Sequence, residues 1–139
     1  MRMIAPIVAS IGLISACGSE IESNIIGTWS MDAEQSVERT MNDFDLRYQD
    51  VAMSTEMLAN FFSSISITSD GLEYKNNSFE LDCSFSDLQE GAAQGTCDIG
   101  MMGDSETFDA QWEIVSGTDS KTLVWRGFEN QTIVMQRSE

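Results

Sequence analysis

The stretch 78–101 begins Ser78-Phe79-Glu80-Leu81-Asp82-Cys83-Ser84-Phe85 and ends Thr96-Cys97-Asp98-Ile99-Gly100-Met101. Phe79, Leu81, Cys83 and Phe85 alternate with Ser78, Glu80, Asp82 and Ser84. Downstream, Cys97, Ile99 and Met101 alternate with Thr96, Asp98 and Gly100. Successive side chains of an extended chain point to opposite faces, so a period of two marks a strand with one face buried. Residues 88–94, with Gly91 and two alanines, suit a hairpin loop. Folding the two runs about Glu90 sets Cys83 opposite Cys97 on the apolar face, which predicts a disulfide between them. A redox or metal role would call for a closer C-x-x-C spacing, which this pair lacks.

The same reading extends outward. Strands are expected near 25–31, 64–69, 72–75, 78–85, 95–102, 107–114, 122–126 and 132–137. Asp70-Gly71 is the strongest turn pair, with Asn76-Asn77, Gly103-Asp104 and the stretch 117–119 as further turns. Inward positions are Phe108, Ala110, Trp112 and Ile114, then Leu123 and Trp125, then Ile133 and Met135. Asp109, Gln111 and Glu113 face outward. The fold class is mainly β: an antiparallel meander of about eight strands forming a barrel or half-barrel. A barrel of that size is just wide enough to be filled by side chains or to hold one small ligand.

Between the first two strands the period changes. Val37, Met41, Phe44, Tyr48, Val51, Leu58, Phe62 and Ile65 fall three or four residues apart, with Thr55 filling the one gap. This is an amphipathic helical stripe, and it predicts a helical insert over about 33–62 that packs its Met and aromatic content against the sheet. Asp32, with Gln35 three residues on, is the expected N-cap. So long a stripe predicts a break, expected near Asp50 or Ser54. The polar face carries Glu34, Glu38, Asp43, Asp45 and Glu56 against Arg39 and Arg47, which disfavours a membrane-surface helix.

Composition narrows the chemistry. The 139 residues carry 7 Lys and Arg against 23 Asp and Glu, a formal net charge of −16, with no histidine. Phosphate binding needs clustered Lys and Arg, so nucleic acid is not an expected partner. Ser/His/Asp and Cys/His nucleophilic mechanisms cannot be assembled without histidine. No glycine-rich phosphate loop is present, and Lys75 and Lys121 lie in no recognisable motif. So many carboxylates always offer some pair at glycosidase spacing, which makes such a pair uninformative. Asp43-x-Asp45 with Asp50, and Asp104-x-Glu106, are the tight acidic clusters, and neither has the glycine and terminal Glu of a calcium loop. The expectation is a non-enzymatic protein without metal or cofactor.

The first residues read as an address. Arg2 is followed by the apolar stretch 3–13, too short to cross a hydrocarbon layer of about 30 Å. Ile14-Ser15-Ala16-Cys17 follows, and this resembles the lipobox of bacterial lipoproteins. The resemblance implies a signal peptide over 1–16, acylation of Cys17, and a linker over 17–24 leading to one domain over 25–139. Several acyl chains on one cysteine give stable anchoring. Gly18 resembles the pattern that sorts lipoproteins to the outer membrane, so the expected location is the bacterial cell envelope. With Cys17 taken by lipid, Cys83 and Cys97 are the pair left in an oxidising compartment.

Asn24-Ile25-Ile26-Gly27-Thr28-Trp29 resembles the Gly-x-Trp opening strand of lipocalins and related calycins. The order of elements is also similar to small bacterial lipoproteins with lipocalin-like domains: a helical insert, a turn such as Ser69-Asp70-Gly71, and a closing strand, Ile133-Val134-Met135-Gln136-Arg137, that ends in Arg. The resemblance implies that Trp29 packs across a closed barrel end. A helix directly after the first strand departs from the typical extracellular lipocalin. The functional expectation is a membrane-anchored domain that binds a small apolar molecule or lipid, with Trp29, Tyr74, Phe79, Phe108, Trp112 and Trp125 as ligand contacts. Those same side chains could instead fill the interior. A second reading is an acidic module that captures or inhibits a basic protein, such as a secreted basic enzyme, since strong negative charge steers association with basic partners. A purely structural envelope protein is the third.

Overall fold

The hairpin forms in the expected register, with Cys83 paired to Cys97 across the strands and a disulfide joining them at a Cα separation of 4.0 Å. The structure is a computed structural model that describes residues 23–101 and 103–138. The expected signal segment, Cys17 and the start of the linker lie outside the described residues, as does Met102, the expected end of one strand. In chain order the elements are β1 (Gly27–Met31), α1 (Ala33–Phe44), α2 (Tyr48–Phe61), β2 (Ile65–Ile67), β3 (Gly71–Lys75), β4 (Phe79–Gln89), β5 (Ala92–Met101), β6 (Asp104–Ile114), β7 (Thr122–Arg126) and β8 (Ile133–Arg137).

The central hairpin is longer and tighter than expected. Gln89 pairs with Ala92, so the turn is Glu90-Gly91 rather than 88–94, and Gly91 takes the positive φ of 80° that so short a turn demands. A bulge between Phe85 and Asp87 absorbs the one-residue change of register. Where β3 begins, Gly71 has φ 144°, and a Cβ there would meet the Cys83 carbonyl oxygen at 1.9 Å. Only glycine allows the two backbones that approach.

Closure is complete. Each strand pairs antiparallel with its sequence neighbour, and β1 pairs with both β2 and β8, giving a closed eight-stranded barrel. The half-barrel alternative is therefore set aside, and the reason lies in α1. After Met31 the chain turns into a helix that runs along β8 where a strand would have continued. The Asp32 amide donates to the Val134 carbonyl at 2.8 Å. Ser36 Oγ accepts from the Val134 amide at 2.8 Å, and Thr40 Oγ1 accepts from the Thr132 amide at 2.9 Å. Helix hydroxyls thus satisfy main-chain groups that an open edge would leave exposed.

This docking corrects the expected helix face. Ser36 and Thr40 are fully buried beside Val37, whereas Phe44 and Tyr48, counted in the apolar stripe, are 39% and 61% exposed. Their exposure follows from the position of the break, which is at 45–47 and not near Asp50 or Ser54. Asp45 adopts a left-handed conformation (φ 55°, ψ 49°) and its amide donates to the Met41 carbonyl, ending α1. Aspartate is one of the few residues that tolerates this region. At the other end Asp32 caps α1 as expected, accepting from the Gln35 amide at 3.0 Å and from its side chain at 2.9 Å.

A candidate ligand-binding groove

The barrel interior is occupied by its own aromatic side chains. Trp112 on β6 and Trp125 on β7 are cross-strand partners, stacked with ring centroids 5.6 Å apart. Phe85 packs edge-on against Trp112 at 5.0 Å, and Phe62, just after α2, stacks on Trp125 at 5.5 Å. These rings form a continuous column, and α2 drives its last member into the barrel. Each ring excludes water from the next, which stabilises the interior more than it leaves room within it.

One end of the barrel is sealed. Trp29 is fully buried and donates from Nε1 to the Ile25 carbonyl at 2.8 Å. Arg137, its partner across β8, lies over the indole with Cζ 4.3 Å from the ring centroid. The guanidinium also donates to the carbonyls of Asn24, Ile26 and Ser120. Gly27 leaves the room for it: a Cβ there would come within 2.5 Å of Arg137 Nη1. Cation–π contact and three carbonyl partners together hold the arginine flat across the end.

The opposite end carries an apolar groove of about 490 Å³, within the range of small-molecule sites. One wall is Leu46, from the break between α1 and α2, with Val51, Met57, Leu58 and Phe61 of α2. The facing wall is Phe79, Ile99 and Met101 from the ends of β4 and β5, and the loop after β7 supplies Phe128 and Gln131. Met57 and Met101 stand on opposite walls, 53% and 52% exposed. Methionine is flexible and polarizable, so such a surface can adapt to the shape of an apolar guest. Asp50 and Glu129 put negative charge at the rim.

A buried polar network fixes this geometry. Thr55 of α2 donates to Gln131 Oε1 at 3.2 Å, and Gln131 Nε2 donates to Thr40 Oγ1 of α1 at 3.0 Å. Thr132 Oγ1 donates to Asp43 at 2.8 Å, and Asp43 in turn pairs with Arg126 at 3.6 Å. Two helices and the β7–β8 loop are thereby locked to one another. Asp43, weighed at first as part of an acidic cluster, serves this network, while Asp50 pairs with Arg47 at 3.2 Å.

The six aromatic residues expected at a ligand site fall in five places. Trp29 seals the closed end, and Trp112 and Trp125 belong to the interior column. Tyr74 lies among Phe62 and Phe79 near the mouth, and Phe108 packs on Phe128 at 4.9 Å. Phe79 is the one of the six that lines the groove. Leu58, Phe61, Met57 and Phe128 were not anticipated there. Met57, an apolar residue of the expected helix that falls outside its apolar stripe, was the available signal.

Comparison of the chain with protein-family models, with curated proteins and with solved structures found no match. The class is set by architecture: a mainly β, lipocalin-like closed barrel with two helices inserted after the first strand.

Proposed function

We propose that this chain is a non-enzymatic, envelope-anchored binding protein that takes up a small apolar molecule in the groove at the open end of the barrel. The carrying observation is the groove itself, an apolar trough flanked by two half-exposed methionines. Exposed apolar surface of this kind is costly to keep in water unless it is used. The guest would sit at the mouth, because the aromatic column stands in the interior. Native mass spectrometry of protein purified without detergent tests it. A reproducible adduct of small-lipid mass, lost in Leu58→Glu, is expected. A bare mass in both proteins, with no uptake of added apolar probes, would sink the reading.

One observation favours the acidic-module alternative. Between α1 and α2 a second groove is lined by apolar Val37, Met41 and Tyr48 together with Glu34, Glu38 and Glu56. Aliphatic stems of Lys and Arg could lie on those apolar side chains with their charges among the glutamates. Capture of basic proteins that fades as salt rises supports this alternative, and salt-insensitive binding of apolar probes supports the first.

A further inference from the structure

Trp112 and Trp125 are 1% and 0% exposed, yet neither indole Nε1–H has an acceptor among the described residues. Trp29, the third tryptophan, is satisfied by the Ile25 carbonyl. Buried donors without partners are rare, because each forfeits its hydrogen bonds to water. Trp125 lies one aromatic layer beneath the groove, and Trp112 stacks on Trp125 one layer further in. Phe128 lines the groove and packs edge-on against Trp125, with ring centroids 5.1 Å apart. It is half-buried and sits on the loop between β7 and β8, directly after Gly127. It is therefore the ring in this layer best placed to swing outward.

We infer that the indoles of Trp112 and Trp125 recognise the polar end of the groove's guest, a neutral apolar molecule bearing a carbonyl oxygen, which enters as Phe128 swings out. The inference rests on the groove reading above and names its ligand class. Both indoles can only donate, so the matching group is an acceptor. The column of Phe62, Trp125, Trp112 and Phe85 supplies no cation, and burying an ionised carboxylate without one is far more costly than burying a ketone or ester. Asp50 and Glu129 at the rim repel anions as well. A free fatty acid is thus the wrong chemistry and a ketone or ester the right one.

Three chain-matched probes test this on the purified protein: methyl nonyl ketone, undecane and undecanoate. Proton–nitrogen correlation NMR resolves the indole N–H groups. The ketone should bind about tenfold more tightly than undecane, the value of one net hydrogen bond. It should shift the Trp112 and Trp125 indole signals while leaving Trp29 in place. Trp125→Phe, which keeps an aromatic ring in the column, should reduce ketone affinity more than undecane affinity, narrowing the gap between them. Equal binding of ketone and undecane with stationary indole signals overturns the inference and leaves the groove reading standing. Undecanoate binding as tightly as the ketone overturns the neutral-ligand assignment. Binding of none of the three overturns inference and groove reading together.

Discussion

Trp29 concentrates several interactions in one side chain. Its ring is fully buried, its N–H is bonded to Ile25, and Arg137 covers its outer face. Truncation would open a cavity at the sealed end and leave the arginine without its platform. Trp29→Ala should therefore cost about 3–5 kcal/mol of unfolding free energy in a denaturant melt. A loss below about 1 kcal/mol would show that the sealed end does not depend on this residue, since buried aromatic truncations cost several times that. Gly27 and Arg137 are explained by the same contact, which joins the opening strand to the closing one.

At the scale of elements, the barrel's seam is the β1–β8 pairing, continued past Met31 by a helix-to-strand contact made by hydroxyls. Thr40→Ala removes the acceptor for both the Thr132 amide and the Gln131 side-chain amide, in a site closed to water. A loss of about 1–3 kcal/mol is expected, because buried donors are left unpaired. Thr40→Ser, which keeps the hydroxyl, should recover most of it, and amide exchange at Thr132 should accelerate in the alanine variant alone. An alanine variant as stable as the parent would mean that the seam is held by apolar packing instead. The β4–β5 hairpin has a covalent tie of its own, spanning a sequence separation of 14. In the chain-entropy model a loop of that size contributes about 3 kcal/mol. Melts of the Cys83→Ser, Cys97→Ser double variant should show a loss of that order. Alkylation without prior reduction should leave both cysteines of the parent unmodified.

The whole molecule is polar in its layout. Ser23 donates to the Gln89 carbonyl, and Asn24 donates to Ser120, so the end of the expected linker is already tied to the barrel. Gln89 ends β4 and Phe79 begins it, which puts the chain's point of attachment and the apolar groove at opposite ends. On the proposed anchoring through Cys17, the chain would reach the membrane from the sealed end, which favours uptake of the groove's guest from the aqueous side over uptake from the anchoring leaflet. Cys17→Ser should move the protein from the membrane fraction to the soluble fraction and abolish the mass added by acyl chains. A variant that remains membrane-bound would refute the anchor. The net charge of −16 adds to this picture by holding the domain off anionic surfaces.

Much of this architecture was legible in the chain alone. Alternation in 78–85 and 96–101 determined the hairpin, its register and the disulfide, because a half-buried strand can satisfy water and core only with a period of two. The count of turn signals determined the number of strands, and Asp32 with Gln35 determined where the first helix begins. Closure was decided by tertiary structure. Ser36 and Thr40 look like solvent-facing residues until β8 is beside them, and their hydroxyls have a purpose only because β1 stops short. Val124 and Val134, which a period of two turns outward, are buried nonetheless, so β7 and β8 are covered on both faces. The site moved furthest. Local pattern can tell that Trp112 and Trp125 point inward, but whether the interior is filled depends on Phe62. Sequence places that side chain on a helix, and only the packing of α2 across the barrel mouth carries it onto the ring of Trp125.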